Sequence, residues 1–257
     1  EPNSLQPFST GVIGERLPMD ELLAAIPKLA TSLRPDNWLA FASAIMTTDT
    51  VAKAVSEQVT IDGEAITVTG VAKGSGMIKP NMATMLAYIA CDATVSEEVL
   101  QRSVVEIANA SFNRITVDGD TSTNDCFMLC ASGASALSPI VSVEDPRLLY
   151  LEDTIASVAK TLAQSIVRDG EGATKFVTVT VSGGASRTEC LEVGYTVAES
   201  PLVKTALFAG DANWGRFCMA IGRAQIESLD AAGVSLYLDE VEVAHRGIMS
   251  ATYSEEA

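Results

Sequence analysis

The sequence predicts an α/β protein, an α+β layered sandwich built on mixed sheets, from three observations. Apolar residues recur at helical spacing in some stretches and alternate in others, the signatures of amphipathic helices and half-buried strands. The two kinds of stretch follow one another without the regular strand-helix-strand rhythm of an all-parallel sheet. Finally, 47% of the 257 residues are hydrophobic and 19% are charged, a balance that buries a large core in one domain or two.

Taken in order, residues 7–17, PFSTGVIGERL, read as a strand turning into a loop at Ser9, Thr10 and Gly11. Residues 20–33 carry Leu22, Leu23, Ile26 and Leu29 at helical spacing, with Pro27 limiting or kinking the helix. A second short helix covers 38–46. It ends at Thr47, Thr48, Asp49 and Thr50, a hydroxyl-rich corner that either caps the next element or points hydroxyls at a ligand. Residues 59–71 alternate around Asp62-Gly63, the signal of a tight β-hairpin. Thr94 and Glu97 have capping-box spacing ahead of a helical face made by Leu100, Val104, Ile107 and Ala108.

Residues 114–125, RITVDGDTSTND, join a strand to a dense polar loop, and 126–135 are apolar and small. Asp145-Pro146 opens a long helix with Leu151, Ile155, Val158, Leu162 and Ile166 on one face. It stops at 168–172, where Glu171 lies between two glycines: either a carboxylate free to enter a cleft or part of a solvated helix end. A strand at 176–181 follows from its Val/Thr alternation, then a short helix at 201–208. Asp211 to Arg216 form a polar, aromatic turn that suits a site wall or an interdomain corner, and 234–243 alternate as a strand.

Composition excludes several functions. A formal charge of −16 with no compensating Lys/Arg block argues against nucleic acid or an anionic membrane surface as partner. Five scattered cysteines in apolar surroundings fit reduced thiols in a cytoplasmic protein. A single histidine argues against zinc. Asp118, Asp120, Ser122 and Asn124 invite a calcium reading, but the sixth loop position is Thr123 where an EF-hand needs glycine. No metal and no cofactor is expected. There is no apolar run of about 18 residues for a membrane span and no basic-then-apolar leader, and a start at Glu1 suggests a fragment or a processed product.

The chemistry concentrates in residues 73–92, KGSGMIKPNMATMLAYIACD. Its glycines lack the spacing of a phosphate-binding loop. Its centre is Ala83-Thr84. Threonine becomes a nucleophile when a base stands beside it, and its own freed α-amino group is such a base, with a pKa near ~8 that leaves a useful neutral fraction. Taken alone, Thr84 reads as a buried core residue rather than a nucleophile. Likewise Ser9-Thr10-Gly11 fits either an ordinary turn or a set of backbone donors for developing negative charge.

Six blocks in order resemble the bifunctional ornithine acetyltransferase/N-acetylglutamate synthase family of arginine biosynthesis, the ArgJ family. They are STGVIGERLP (9–18), AIMTTDT (44–50), AKGSGMIKPNMATML (72–86), DGDTSTND (118–125), RDGEGATK (168–175) and SPLVKTALFAGDANWGR (200–216). The resemblance implies a self-cleaving precursor cut between Ala83 and Thr84, with Thr84 as nucleophile and new N-terminus. It implies an oxyanion hole from Thr10 and Gly11, and substrate contacts from Thr47, Lys73, Thr84 and Glu171. Lys73 suits the α-carboxylate of an acetylated amino acid, and Glu171 suits the amine of ornithine or a proton shuttle. Asp211, Asn213 and Arg216 are read as structural.

The implied reaction moves acetyl from N-acetylornithine to glutamate through an acetyl-enzyme, with ping-pong kinetics; some members take acetyl from acetyl-CoA. Also implied are an α/β sandwich like that of self-processing aminopeptidases, a main domain over 1–180 and a smaller one over 181–257. The α chain (1–83) and the β chain (from 84) would pair into an α2β2 heterotetramer. Family members extend further at both ends, and their C-terminal tail adds an Asn and a Thr to the site, so the resemblance implies a fragment lacking both termini. Two other readings stand beside this one: an amide hydrolase or aminopeptidase using the same threonine, with water as acceptor, and an inactive binding remnant.

Overall fold

The computed structural model describes residues 6–79, 85–122 and 124–254. Pro80, Ala83, Thr84 and Thr123 therefore lie outside the described residues. The chain divides into two compact units, Glu1–Gly172 and Ala173–Ala257, where the sequence placed the boundary after residue 180.

The first unit is built on a four-stranded mixed sheet in the order β1-β2-β3-β4. Strands β1 (Lys53–Ile61) and β2 (Glu64–Lys73) form the expected antiparallel hairpin. Its two-residue turn needs left-handed backbone, and Asp62 and Gly63 supply it with φ of 52° and 84°. Strand β3 (Leu86–Cys91) pairs antiparallel with β2, and β4 (Cys126–Ala131) pairs parallel with β3. A parallel neighbour needs a crossover, which helix α3 (Glu97–Ala110) provides. The cap of α3 is Ser96, two residues beyond the expected Thr94. The strand expected at the start of 114–125 is not formed. Residues 112–114 make a turn of 3₁₀ helix, and Val117 gives one N–H to the carbonyl of Ile78 rather than joining a ladder.

Helix α4 (Pro146–Arg168) begins at Asp145, whose carboxylate accepts from the Arg147 N–H. It packs on β1, β2 and β3. Its buried Leu151, Ile155, Val158, Leu162 and Ile166 form one core with Ile66, Val68 and Ile89; burial of each such side chain is worth about 1.5–3 kcal/mol. The contact is close at Gly70, where an added Cβ would lie 2.9 Å from Leu162 and Ile89 and 3.0 Å from Val158. Because strand side chains alternate, Ile66, Val68, Gly70 and Ala72 face α4, while Val71 and Lys73 face away.

The opposite face receives α2 (Trp38–Ala44), which packs on β1 and β2. There Phe41 and Phe8 meet Tyr88 of β3 with ring centroids 5.2 and 5.9 Å apart. Helix α1 (Met19–Thr31) continues through Pro27 and buries none of its residues.

The second unit holds α5 (Arg187–Ala198), α6 (Pro201–Ala209) and α7 (Trp214–Gly222) around Val197, Val203, Phe217, Ala220 and Ile221. It also has a three-stranded antiparallel sheet of β5 (Leu236–Leu238), β6 (Val241–His245) and β7 (Ile248–Met249). The single strand expected over 234–243 is thus a hairpin, broken at Asp239, which takes a φ of 50°. Residues 176–181 enter no β-ladder among the described residues, so the alternation there lacks the partner that makes a strand. No described helix is long and apolar enough to cross a membrane.

Overpacking a core that is already in contact costs about 1–3 kcal/mol. Gly70→Val is therefore expected to lower the urea-unfolding free energy by about that amount; chemical denaturation of the variant beside the wild type checks this.

Candidate active site

The end of β2 carries Lys73 on the face that α2 covers. Its side chain is buried, with the residue 3% exposed, and its Nζ donates to Thr47 Oγ1 at 3.3 Å. Burial pushes its pKa down, against the charges of Asp49 and Asp125 and together with that of Lys53. A desolvated ammonium with one hydroxyl acceptor among the described residues is suited to an arriving carboxylate.

Lys73 and Thr47 are held in register by a second buried lysine. Lys53 lies opposite Ala72 on the α4 side of the sheet. Its Nζ donates to Asp49 Oδ1 at 2.7 Å and to Asp169 Oδ2 at 2.6 Å, with the three side chains 1%, 0% and 6% exposed. Asp49 also accepts from the N–H groups of Gly74 (2.7 Å) and Thr47 (3.1 Å). Asp169, the residue that closes α4, accepts from the Thr50 N–H at 2.9 Å and bonds the Thr50 hydroxyl. Burial pushes both carboxyls up. Backbone and hydroxyl donors and the Lys53 ammonium outweigh it, so both lie below the ordinary carboxylate range.

This network joins the Thr47–Thr50 corner, the glycine loop and the end of α4. The Thr48 and Ser75 hydroxyls meet at 2.6 Å, and the Glu171 N–H donates to the Ser75 carbonyl at 2.8 Å. The exposed Glu171 carboxylate lies over Gly76, where a Cβ would come 2.7 Å from Oε1. A side chain at Gly76 would displace that carboxylate. Asp118 braces the same loop from the far side. It accepts from the N–H groups of Met77 (2.7 Å) and Ile78 (3.0 Å), a structural use of the loop that resembled a calcium site. Among the described residues no group of three His, Cys, Asp or Glu side chains could hold a metal.

The segment before Thr10 reaches the start of β3. Pro7, Phe8 and Ser9 line a cavity of about 200 Å³ with Leu86, Asn124 and Asp125. Thr10 is half-buried and Gly11 exposed, and no hydrogen bond joins either to Thr47, Lys73 or Glu171 among the described residues. Asp125 Oδ1 accepts from the Met85 N–H at 2.6 Å. Of the residues singled out in the sequence, Thr47, Lys73 and Glu171 come together around the glycine loop. Sequence reasoning missed Asp49, Lys53, Asp169 and Asp125. The first three carried a signal only as charged residues interrupting otherwise apolar or hydroxyl-rich stretches. In the second unit, Arg216 bonds the Leu202 carbonyl and Thr205, and Asn213 bonds Asp211.

The model of the ArgJ family matches residues 1–257. The chain belongs to the ArgJ family. It is 55% identical over 253 residues to the Arginine biosynthesis bifunctional protein ArgJ of Pseudomonas fluorescens (strain Pf0-1), covering 98% of this chain and 62% of that protein. It is 54% identical over 255 residues to the protein of the same name from Psychrobacter arcticus, covering 99% of this chain and 63% of that one. This chain therefore spans less than two thirds of the length of either relative. The crystal structure of Arginine biosynthesis bifunctional protein argJ from Bacillus halodurans matches with a TM-score of 0.62 at 36% identity, over 66% of this chain and 78% of that one. The layered α/β fold is thus that of an ArgJ structure.

Removing one member of a buried ion-pair network leaves uncompensated charge and costs about 3–5 kcal/mol. Lys53→Met is expected to lose about that much in urea denaturation at neutral pH. Because the folded pKa values of Asp49 and Asp169 are depressed, the stability they supply is complete above the unfolded value of 3.8 and is lost as pH falls through the folded values. The gap between wild type and Lys53→Met should therefore narrow below about pH 4; denaturation repeated across pH 3–7 checks the sign.

Proposed function

We propose that this chain is the main part of a glutamate N-acetyltransferase of arginine biosynthesis, which moves acetyl from N-acetylornithine to glutamate. Thr84 is the nucleophile, freed as an N-terminus by self-cleavage after Ala83. Its hydroxyl attacks the acetyl carbonyl and its α-amino group takes the proton. The tetrahedral oxyanion is met by Thr10 and Gly11. Collapse expels the ornithine amine, which takes that proton, and leaves an acetyl ester on Thr84. Glutamate then attacks the ester through its own amine, giving N-acetylglutamate and restoring the hydroxyl. Acetyl-CoA entering the first half-reaction in place of N-acetylornithine accounts for a second, synthase activity.

The observation that carries this reading is the pairing of Lys73 with Thr47. Two residues of separate blocks meet on one face of the sheet, where a buried ammonium donates to the Thr47 hydroxyl. That arrangement suits the α-carboxylate common to N-acetylornithine and glutamate. Glu171, exposed beside the same loop, suits the distal amine of ornithine. The α and β chains remain together and pair as α2β2, in the cytoplasm; the five unpaired cysteines suit a reducing compartment. No cofactor takes part.

Self-cleavage is tested by intact-protein mass spectrometry of the full-length protein. Two chains, the second beginning at Thr84, are expected for the wild type, and a single uncut chain for Thr84→Ala. An uncut wild type, or a cut Thr84→Ala, contradicts the reading.

A further inference from the structure

Asp125 stands at the end of the polar loop that leads into β4, and nothing in the proposed reaction yet uses it. One oxygen, Oδ1, accepts from the Met85 N–H at 2.6 Å. That nitrogen belongs to the peptide bond leaving Thr84, so the contact fixes the covalent neighbour of the nucleophile. The other oxygen, Oδ2, is buried and receives no hydrogen bond from the described residues. Asp125 also lines the cavity that Phe8 and Ser9 share with Leu86, on the side from which the Thr10-Gly11 segment arrives. The charge of Lys73 acts on it.

An asparagine could accept the Met85 N–H through its carbonyl and would not need a charge to be desolvated. The hydrogen bond alone therefore gives no reason for a carboxylate. What the carboxylate adds is a charge shared between the Lys73 ammonium and the start of β3. Buried polar atoms nearly always find partners, and an orphaned one at a cavity marks a place where stability is given up for chemistry.

We propose that Asp125 is a positioning residue for acetyl transfer, acting in its charged form through the Met85 N–H and the Lys73 ammonium to hold the chain that follows the nucleophile against the carboxylate-binding face of the sheet. This rests on the reaction proposed above. Burial raises the Asp125 pKa to about 6, against the Met85 N–H and the Lys73 charge. Among the described residues, the titratable groups coupled to it are Lys73 from β2 and Cys126 from β4; Cys130 acts on Cys126, Cys126 acts on Tyr88 of β3, and Asp49 and Lys53 act on Lys73. Burial pushes the Cys126 thiol up to about 11 and the Tyr88 phenol up to about 12. Phe8, Ser9, Leu86 and Asn124 bring no charge.

The test compares wild-type, Asp125→Asn and Asp125→Glu full-length proteins in acetyl transfer from N-acetylornithine to glutamate between pH 5 and 9. The α-amino group of Thr84, with a pKa near ~8, gives an acid-side decline in all of them. In the wild type, log kcat/KM should steepen below about pH 6. In Asp125→Asn the steepening should be absent and kcat at pH 8 should fall by about 10–100-fold, the loss expected when reacting groups shift by about an ångström, with KM changed less than about threefold. Asp125→Glu should recover part of kcat and keep the steepening. Retention of wild-type kcat and of the steepening by Asp125→Asn overturns the proposal, as does a wild-type profile with one acid-side decline, which needs no variant to fold. A wild type that transfers no acetyl overturns the reaction itself and this inference with it, whereas an active wild type with an indifferent Asp125 overturns only the inference.

Discussion

The Lys53 ammonium, shared between Asp49 and Asp169, is the constraint on which the first unit depends. It lies where three pieces of chain meet: the corner after α2, the glycine loop after β2 and the end of α4. None of the three has secondary structure that would fix it unaided. Three charges out of water are costly by themselves, and the cost is offset because the carboxylates also accept backbone N–H groups of Thr47, Thr50 and Gly74. Loop backbone that would otherwise need solvent is satisfied internally, and the corner can be held against the sheet.

The functional residues inherit their places from that network. Thr47 is fixed by its own N–H on Asp49, and its hydroxyl is thereby offered to Lys73. Lys73 is the last residue of β2 and precedes Gly74, whose N–H is on the same carboxylate. Glu171 follows Asp169 by two residues and is tied to Ser75. The two lysines divide the work by strand alternation and pairing: Lys53 lies on the α4 face as scaffold, and Lys73 on the α2 face as the cation available to a ligand.

The sequence made the regular elements legible where a local rule decides them. The β1-β2 hairpin follows from Asp62-Gly63, because only residues tolerant of positive φ close a two-residue turn. Helix α4 follows from Asp145-Pro146 and five apolar residues on one face. Strand β4 was not legible: CFMLCA shows no alternation, and the neighbouring RITV offered a better strand pattern yet enters no β-ladder among the described residues. The Val/Thr alternation at 176–181 misled for the same reason, since propensity is spent only when a ladder partner exists. Among site residues, Thr47, Lys73 and Glu171 were reached by resemblance to a family. Asp49, Lys53 and Asp169 were not, because the network closes only when Asp169, 116 positions from Lys53, folds back onto it, and such a contact leaves no periodic trace.

In the proposed reaction, acetyl rests on Thr84 between donor and acceptor. The most direct measurement is to incubate the full-length protein with N-acetylornithine carrying an isotopically labelled acetyl group, without glutamate, quench it, and map the label by peptide mass spectrometry. The label should appear on the peptide that begins at Thr84 and disappear when glutamate is added before the quench, with labelled N-acetylglutamate formed in its place. Label found on another residue, or released as acetate at a rate indifferent to glutamate, would contradict the account.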